Sequence, residues 1–188
     1  MKKTLYREPL TAAEIELHSN NYENETPAVY VGTYGKYNDG SLDGMWVDLS
    51  TFDAYEDFLE FCERLHADDP DPELMFQDFE CFPREYYGES HLEFNAIKEW
   101  YELGEDEREA FEAYMGYEGE DATIEKFHEC YQGKWDSPED FAENLYLEIY
   151  GHEIPDFLQG YIDWSAVWRN LDTAGDYFES DGYIFSRY

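Results

Sequence analysis

Carboxylates dominate the side chains that could do chemistry in this sequence. Between Glu102 and Asp121 the run ELGEDEREAFEAYMGYEGED sets Glu105, Asp106, Glu107, Glu109 and Glu112 beside one arginine, Arg108. A second run holds Asp53, Glu56, Asp57, Glu60 and Glu63, and a third holds Glu139, Asp140 and Glu143. Close carboxylates support three kinds of chemistry: an acid and base pair, a hard-cation site, or a surface acting through summed charge. The first needs one distinguished pair, and here pairs are everywhere. A glycosidase-like pair is recognised by its separation in space, not by its place in a chain. The sequence carries no G-x-S-x-G, P-loop or G-x-G-x-x-G motif. No catalytic residue and no cofactor are assigned.

Metal chemistry fares little better. Cys62-x-x-x-His66 and His128-x-Cys130 are each half a ligand set, and zinc needs three or four ligands. Both cysteines also fall among the apolar positions of helices. The loop NDGSLDG (38–44) lacks the alternating ligands and terminal glutamate of an EF-hand, and DDPDPE (68–73) has two prolines and no glycine. Both are expected to be turns, and no metal is assigned. Lys36, a rare positive charge inside GKYNDG, is expected at a solvated loop tip.

The elements that must carry these groups follow from periodicity. Residues 1–26 are polar and read as an extension, with a helical turn after Thr11. AVYVGTY and MWVDL are β-branched and aromatic, and the turn formers between them make a long hairpin loop. TFDAYEDFLEFCERLHA switches to helical spacing through Phe52, Tyr55, Phe58, Leu59, Cys62 and Leu65. LMFQDFECF reads as a third strand, and PREYYGES as a connector placing a boundary near Gly88. Two amphipathic helices broken at Gly104 follow; the second turns Ala110, Phe111, Tyr114 and Met115 to one side with Leu103. After a short helix ending near Cys130 come a strand (YQGKW), a helix capped by Ser137-Pro138 and closed at Gly151, and another over IDWSAVWRNL. A final hairpin turns at Asp181-Gly182. The class is α+β, with antiparallel strands at both ends and a helical middle. The segments are an extension (1–26), an α/β domain with a three-stranded sheet (27–88), a helical middle domain (89–130) and a carboxy-terminal α/β domain (131–188).

Composition limits the partners. The chain has 46 acidic and 12 basic side chains, a net charge of −34. Phosphate neutralisation needs lysine and arginine, so a nucleic-acid binder with a basic surface is excluded, and an anionic membrane is disfavoured. Disordered chains are poor in aromatics. Here 19% of the residues are Phe, Trp or Tyr, enough apolar area for a core. Three widely spaced cysteines, no hydrophobic leader and no apolar span fit a cytoplasmic protein. Adaptation to high salt would also produce acidic runs, but it does not require so many aromatic rings. A further reading gives the charge a shape: −34 matches ~58 Å of duplex DNA, about 17 base pairs. Carboxylates four residues apart on a helix lie ~6 Å apart along its axis. Rows of them would stand in for phosphates, and lysines would spoil the row.

AVYVGTYGKYNDGSLDGMWVDL, followed by MFQDFECFP, ELGEDEREAFEAYM, EIPDFLQGYIDWSAVWRNLD and YIFSRY, resembles the ArdA antirestriction family, in order, over about residues 28–188. ELGEDEREAFEAYM is similar to that family's antirestriction motif. The resemblance implies a DNA mimic with three small domains in an elongated body. Such a mimic binds type I restriction-modification enzymes on the DNA-reading surfaces of their specificity and modification subunits. It also implies a homodimer formed through the carboxy-terminal domain, carrying charge for roughly 34 base pairs, and no reaction of its own. The acidic residues of the three runs are the expected partner surface. The alternative is a generic acidic module that binds another basic, DNA-binding protein.

Overall fold

A computed structural model describes residues 7–20, 25–69 and 72–187, with Glu120 described only in its backbone. The chain divides into two compact units, Met1–Leu103 and Gly104–Tyr188. The division falls at Gly104, where the sequence breaks one amphipathic helix from the next.

In the first unit, α1 (Ala12–His18) precedes β1 (Ala28–Thr33), α2 (Tyr34–Asn38), β2 (Met45–Asp48), α3 (Tyr55–Leu65), β3 (Leu74–Glu80) and α4 (Phe94–Glu102). The strands form an antiparallel sheet in the order β2-β1-β3, so β1 is central. That explains its near-continuous apolar run: Val29 pairs with Val47 on one side and Phe79 on the other, and Val29, Val31 and Val47 are fully buried. α3 turns Phe58, Phe61 and Cys62 inward, and its Phe58 ring meets Phe76 of β3 at 5.7 Å. α2, a short helix inside the hairpin loop, was not expected there; the Thr33 hydroxyl caps it by accepting from the Lys36 amide.

Two further features brace this unit. Asp48 is buried but has both oxygens occupied, by the Ser50 amide and hydroxyl and by the Thr26 hydroxyl. These bonds offset the cost of burying a carboxylate. The sheet's outer strands are not bare. The Asn20 amide donates to the Trp46 carbonyl of β2, and the Phe76 amide of β3 donates to the Glu89 carbonyl.

The second unit runs α5 (Glu105–Glu118), α6 (Ile124–Cys130), β4 (Tyr131–Lys134), α7 (Pro138–Tyr150), α8 (Asp156–Gln159), α9 (Trp164–Ala174), β5 (Tyr177–Ser180) and β6 (Tyr183–Ser186). Its antiparallel sheet has the order β4-β6-β5. Asp181 and Gly182 take positive φ angles of 52° and 83°. That is the conformation a two-residue hairpin of this twist demands. α7 begins as read from the sequence, with Ser137 accepting from the Asp140 amide and Pro138 at the first position. The core is a cluster of rings: Phe111 and Tyr114 of α5, Phe127 of α6, Phe178 of β5 and Phe185 of β6, with centroids 5.0–6.4 Å apart in successive pairs. Phe111 and Tyr114 are therefore core residues, as expected of this helix, while Met115 is only half-buried.

Candidate partner-binding surface

α3 is a helix with two chemistries. Phe58, Phe61 and Cys62 hold it to the sheet. Burial of a phenylalanine ring contributes about 2 kcal/mol. Glu56, Asp57 and Glu60 are exposed, as is Asp53 just ahead of the helix, and Glu63 is half-buried. Glu56, Glu60 and Glu63 recur at four- and three-residue spacing and so share one stripe of the helix, with Asp57 beside it and Asp53 ahead of the first turn. Glu56 and Asp57 also sit in the first turn, where the helix dipole favours negative charge.

In the second unit the same division recurs on α5. Ala110, Phe111, Ala113 and Tyr114 face the core, while Glu105, Asp106, Glu109 and Glu112 are exposed. Glu107 is half-buried, and its carboxylate accepts from the Gly104 amide, closing the start of the helix at 3.4 Å. Glu109 is engaged twice. It accepts from the Tyr183 hydroxyl at 2.9 Å and lies 3.7 Å from the Lys134 ammonium, tying the motif helix to the hairpin. On α7, Asp140 is exposed and accepts from the Ser137 hydroxyl, and Glu139 and Glu143 are half-buried.

Several basic residues of the first unit are tied down. Arg7 pairs with Glu63 at 2.9 Å, and Arg64 with Glu14 at 2.8 Å. Lys98 donates to the Phe52 carbonyl at 2.7 Å and reaches Asp53 at 4.0 Å. Lys36 corrects an expectation. It is not a solvated tip; its side chain is only 16% exposed and its ammonium donates to Asp43 (2.9 Å), Asp68 (3.0 Å) and His66 Nδ1 (3.1 Å). An ammonium cannot accept, so Nδ1 must, which leaves His66 neutral with its proton on Nε2. Burial, and then the charge of Lys36, push the His66 pKa down. Burial works against the charge of Lys36 itself, but its bonds to Asp43 and Asp68 outweigh this and raise its pKa. His66 is thereby committed to Lys36, and Cys62 is a fully buried thiol whose pKa burial raises well above normal. Cys130 is buried and donates to the Phe127 carbonyl. Among the described residues, no group of three or more His, Cys, Asp or Glu side chains is placed to hold a metal ion. Among them too, no helix is long and apolar enough to cross a membrane.

The model for the antirestriction protein ArdA matches residues 29–185. The chain belongs to the ArdA family. The match takes in both sheets and the three acidic helices α3, α5 and α7, and leaves out α1. No curated protein matches the chain. As a member of ArdA the protein falls among antirestriction proteins, and its counterparts are restriction-modification enzymes.

Arg7, Glu14 and Arg64 were not singled out from the sequence as interacting groups, and His66 was considered there only as half of a metal-ligand pair with Cys62. One local signal was available for Glu14. Thr11-x-x-Glu14 is a capping-box pattern, and in the structure Thr11 and Glu14 cap α1 reciprocally.

Proposed function

We propose that this ArdA protein is a DNA mimic that inhibits type I restriction-modification enzymes by occupying their DNA-binding groove. The observation that carries the reading is the division of labour on α3 and α5. On both helices the aromatic side is spent on the core, and the solvent side is almost wholly carboxylate. An inhibitor that had to fold around a conventional surface would mix lysines into those positions and gain from it. The partner surface consists of Asp53, Glu56, Asp57, Glu60 and Glu63 on the first unit. On the second it consists of Glu105, Asp106, Glu107, Glu109, Glu112, Glu139, Asp140 and Glu143. Its targets are the DNA-reading faces of the specificity and modification subunits. It acts by binding, without a reaction, in the cytoplasm where incoming DNA is cut.

A homodimer completes the mimic and doubles its charge. Support comes from the second unit, where Phe157 and Tyr161 are 74% and 86% exposed and Ile149, Tyr150 and Leu158 are also exposed. Large apolar side chains gathered in one stretch of an otherwise acidic chain mark a protein-binding surface. The three-domain organisation of 27–88, 89–130 and 131–188 is part of the same proposal.

The test is competition. A purified type I enzyme on labelled target DNA is titrated with the protein at two salt concentrations. Stoichiometric displacement that weakens at higher salt supports the mimic, because charge complementarity is screened. Equal displacement of unrelated basic DNA-binding proteins would point to a generic acidic module, and no displacement by folded protein would overturn the reading.

A further inference from the structure

We propose that residues 7–20 form a charge-correcting strap, which masks the single arginine of the α3 acidic row and so belongs to the partner-facing surface. This inference rests on the mimic reading above.

α3, with the sequence YEDFLEFCERL, carries one basic residue, Arg64. Left bare, it would present a positive charge to a basic groove at the end of the stripe that runs through Glu56, Glu60 and Glu63. The strap answers it directly. Glu14 accepts from Arg64 Nη1 at 2.8 Å, and the Glu8 carbonyl accepts from Arg64 Nε at 3.1 Å. Glu14 is held ready for this. Its other oxygen takes the Thr11 amide and hydroxyl at 2.8 and 2.7 Å. Arg64, then the Thr11 amide and hydroxyl, hold the Glu14 pKa down to about 2.

The strap is fastened at its far end but is not part of a core. His18 stacks on Phe52 with centroids 4.2 Å apart, meets Phe61 edge-on at 4.8 Å, and joins its Nδ1 to the Thr51 hydroxyl at 2.7 Å. Ser19 then bridges to Val47 of β2. Between these anchors α1 buries no residue, and Leu17 is 66% exposed. Besides the His18 ring at its end, α1 meets α3 through the Glu14–Arg64 ion pair. Its own charges point the same way: residues 7–20 hold one arginine against Glu8, Glu14 and Glu16, a net of −2. Arg7 takes up Glu63 and Glu14 takes up Arg64, so the strap spends one carboxylate of the row, cancels the row's arginine and adds Glu8 and Glu16. The segment precedes the family-matched region, which begins at residue 29.

The experiment is the competition assay at low salt with wild type, Glu14→Gln, Arg64→Gln, the double variant, and Arg169→Gln on α9. Hydrogen exchange of the amides of α1 is followed in each to report whether the strap stays docked. If the strap corrects charge, Glu14→Gln weakens displacement about fivefold and Arg64→Gln tightens it about threefold. The double variant then returns to within about twofold of wild type. If Arg64→Gln and the double variant are as weak as Glu14→Gln, the strap is only a brace and the proposal is overturned. A gain from Arg169→Gln as large as that from Arg64→Gln also overturns it, since net charge alone would then suffice. Wild type that displaces DNA while all four variants match it overturns the strap but leaves the mimic. Wild type that fails to displace DNA overturns both.

Discussion

Replacing Lys36 by methionine isolates what a half-buried ammonium does in a protein of net charge −34. Methionine keeps the stem and its packing, so no cavity contribution is expected. Three acceptors lose their donor. Asp43 and Asp68 are 70% and 68% exposed, so both return to water. Each of these pairs counts as a surface ion pair worth about 0.5 kcal/mol. His66 is 1% exposed and cannot do the same. Its Nδ1 stays dry without a partner, which costs about 1.5 kcal/mol. The sum is about 2.5 kcal/mol, a large share of the stability of a domain this size. Urea unfolding of the first unit, followed by near-ultraviolet signals of Trp46, reads the change. With a slope of about 1.5 kcal/mol per molar the midpoint falls by roughly 1.7 M at unchanged slope. Asp43→Asn and Asp68→Asn, each leaving His66 bonded, should cost well under half as much. If either costs as much as Lys36→Met, the buried histidine is not the expensive partner and the reasoning fails.

The remaining predictions concern pH, packing and salt. Because the His66 pKa is lowered in the fold, the unfolded chain binds more protons below its ordinary value of 6.5. Stability present above that pH is thus lost on acidification, by up to about 1.4 kcal/mol per unit until the folded pKa is reached; a His66→Gln variant with the same pH slope as wild type would refute this. Phe111→Ala should cost about 3–5 kcal/mol by opening the ring cluster, and lose activity through unfolding. Asp106→Asn in the same motif should leave thermal stability within about 1 kcal/mol. A Cβ at Gly44 would collide with the Val31 carbonyl oxygen. Gly44→Ala should therefore cost about 2 kcal/mol in denaturant titration, and a neutral outcome would show that the hairpin loop can shift. Raising salt from about 0.02 to about 0.2 M should raise the melting temperature by screening like charges, and a flat curve would mean bound cations already compensate them.

What was legible in the sequence was what is local. Ser137-Pro138, Asp181-Gly182 and the break at Gly104 fix their elements through residues within four positions, and each stands where the pattern put it. The α3 stripe shows where locality ends. Helical spacing found Phe58 and Cys62, which face the sheet, but not Phe61, which is buried partly under His18, 43 positions earlier. Widening a helix's apolar side to suit a second neighbour leaves no periodic mark of its own. Lys36 with His66 and Glu14 with Arg64 are separated by 30 and 50 residues, and neither partner's type announces the other. The acidic rows were readable as residues because exposure follows from the same periodicity. That a carboxylate such as Glu109 accepts from Tyr183 depends on the hairpin that folds against it.

The first sheet has a consequence for a chain this rich in aromatic strands. Both outer strands already have backbone partners, β2 in Asn20 and β3 in Glu89. A free strand margin would invite other chains to zip on, and like charge alone is a poor guard once salt screens it. Here the guard is written into hydrogen bonds, so it persists in salt where repulsion fades. Growth of one copy onto another by strand addition is thereby discouraged at this sheet, and encounters with other molecules are left to side chains.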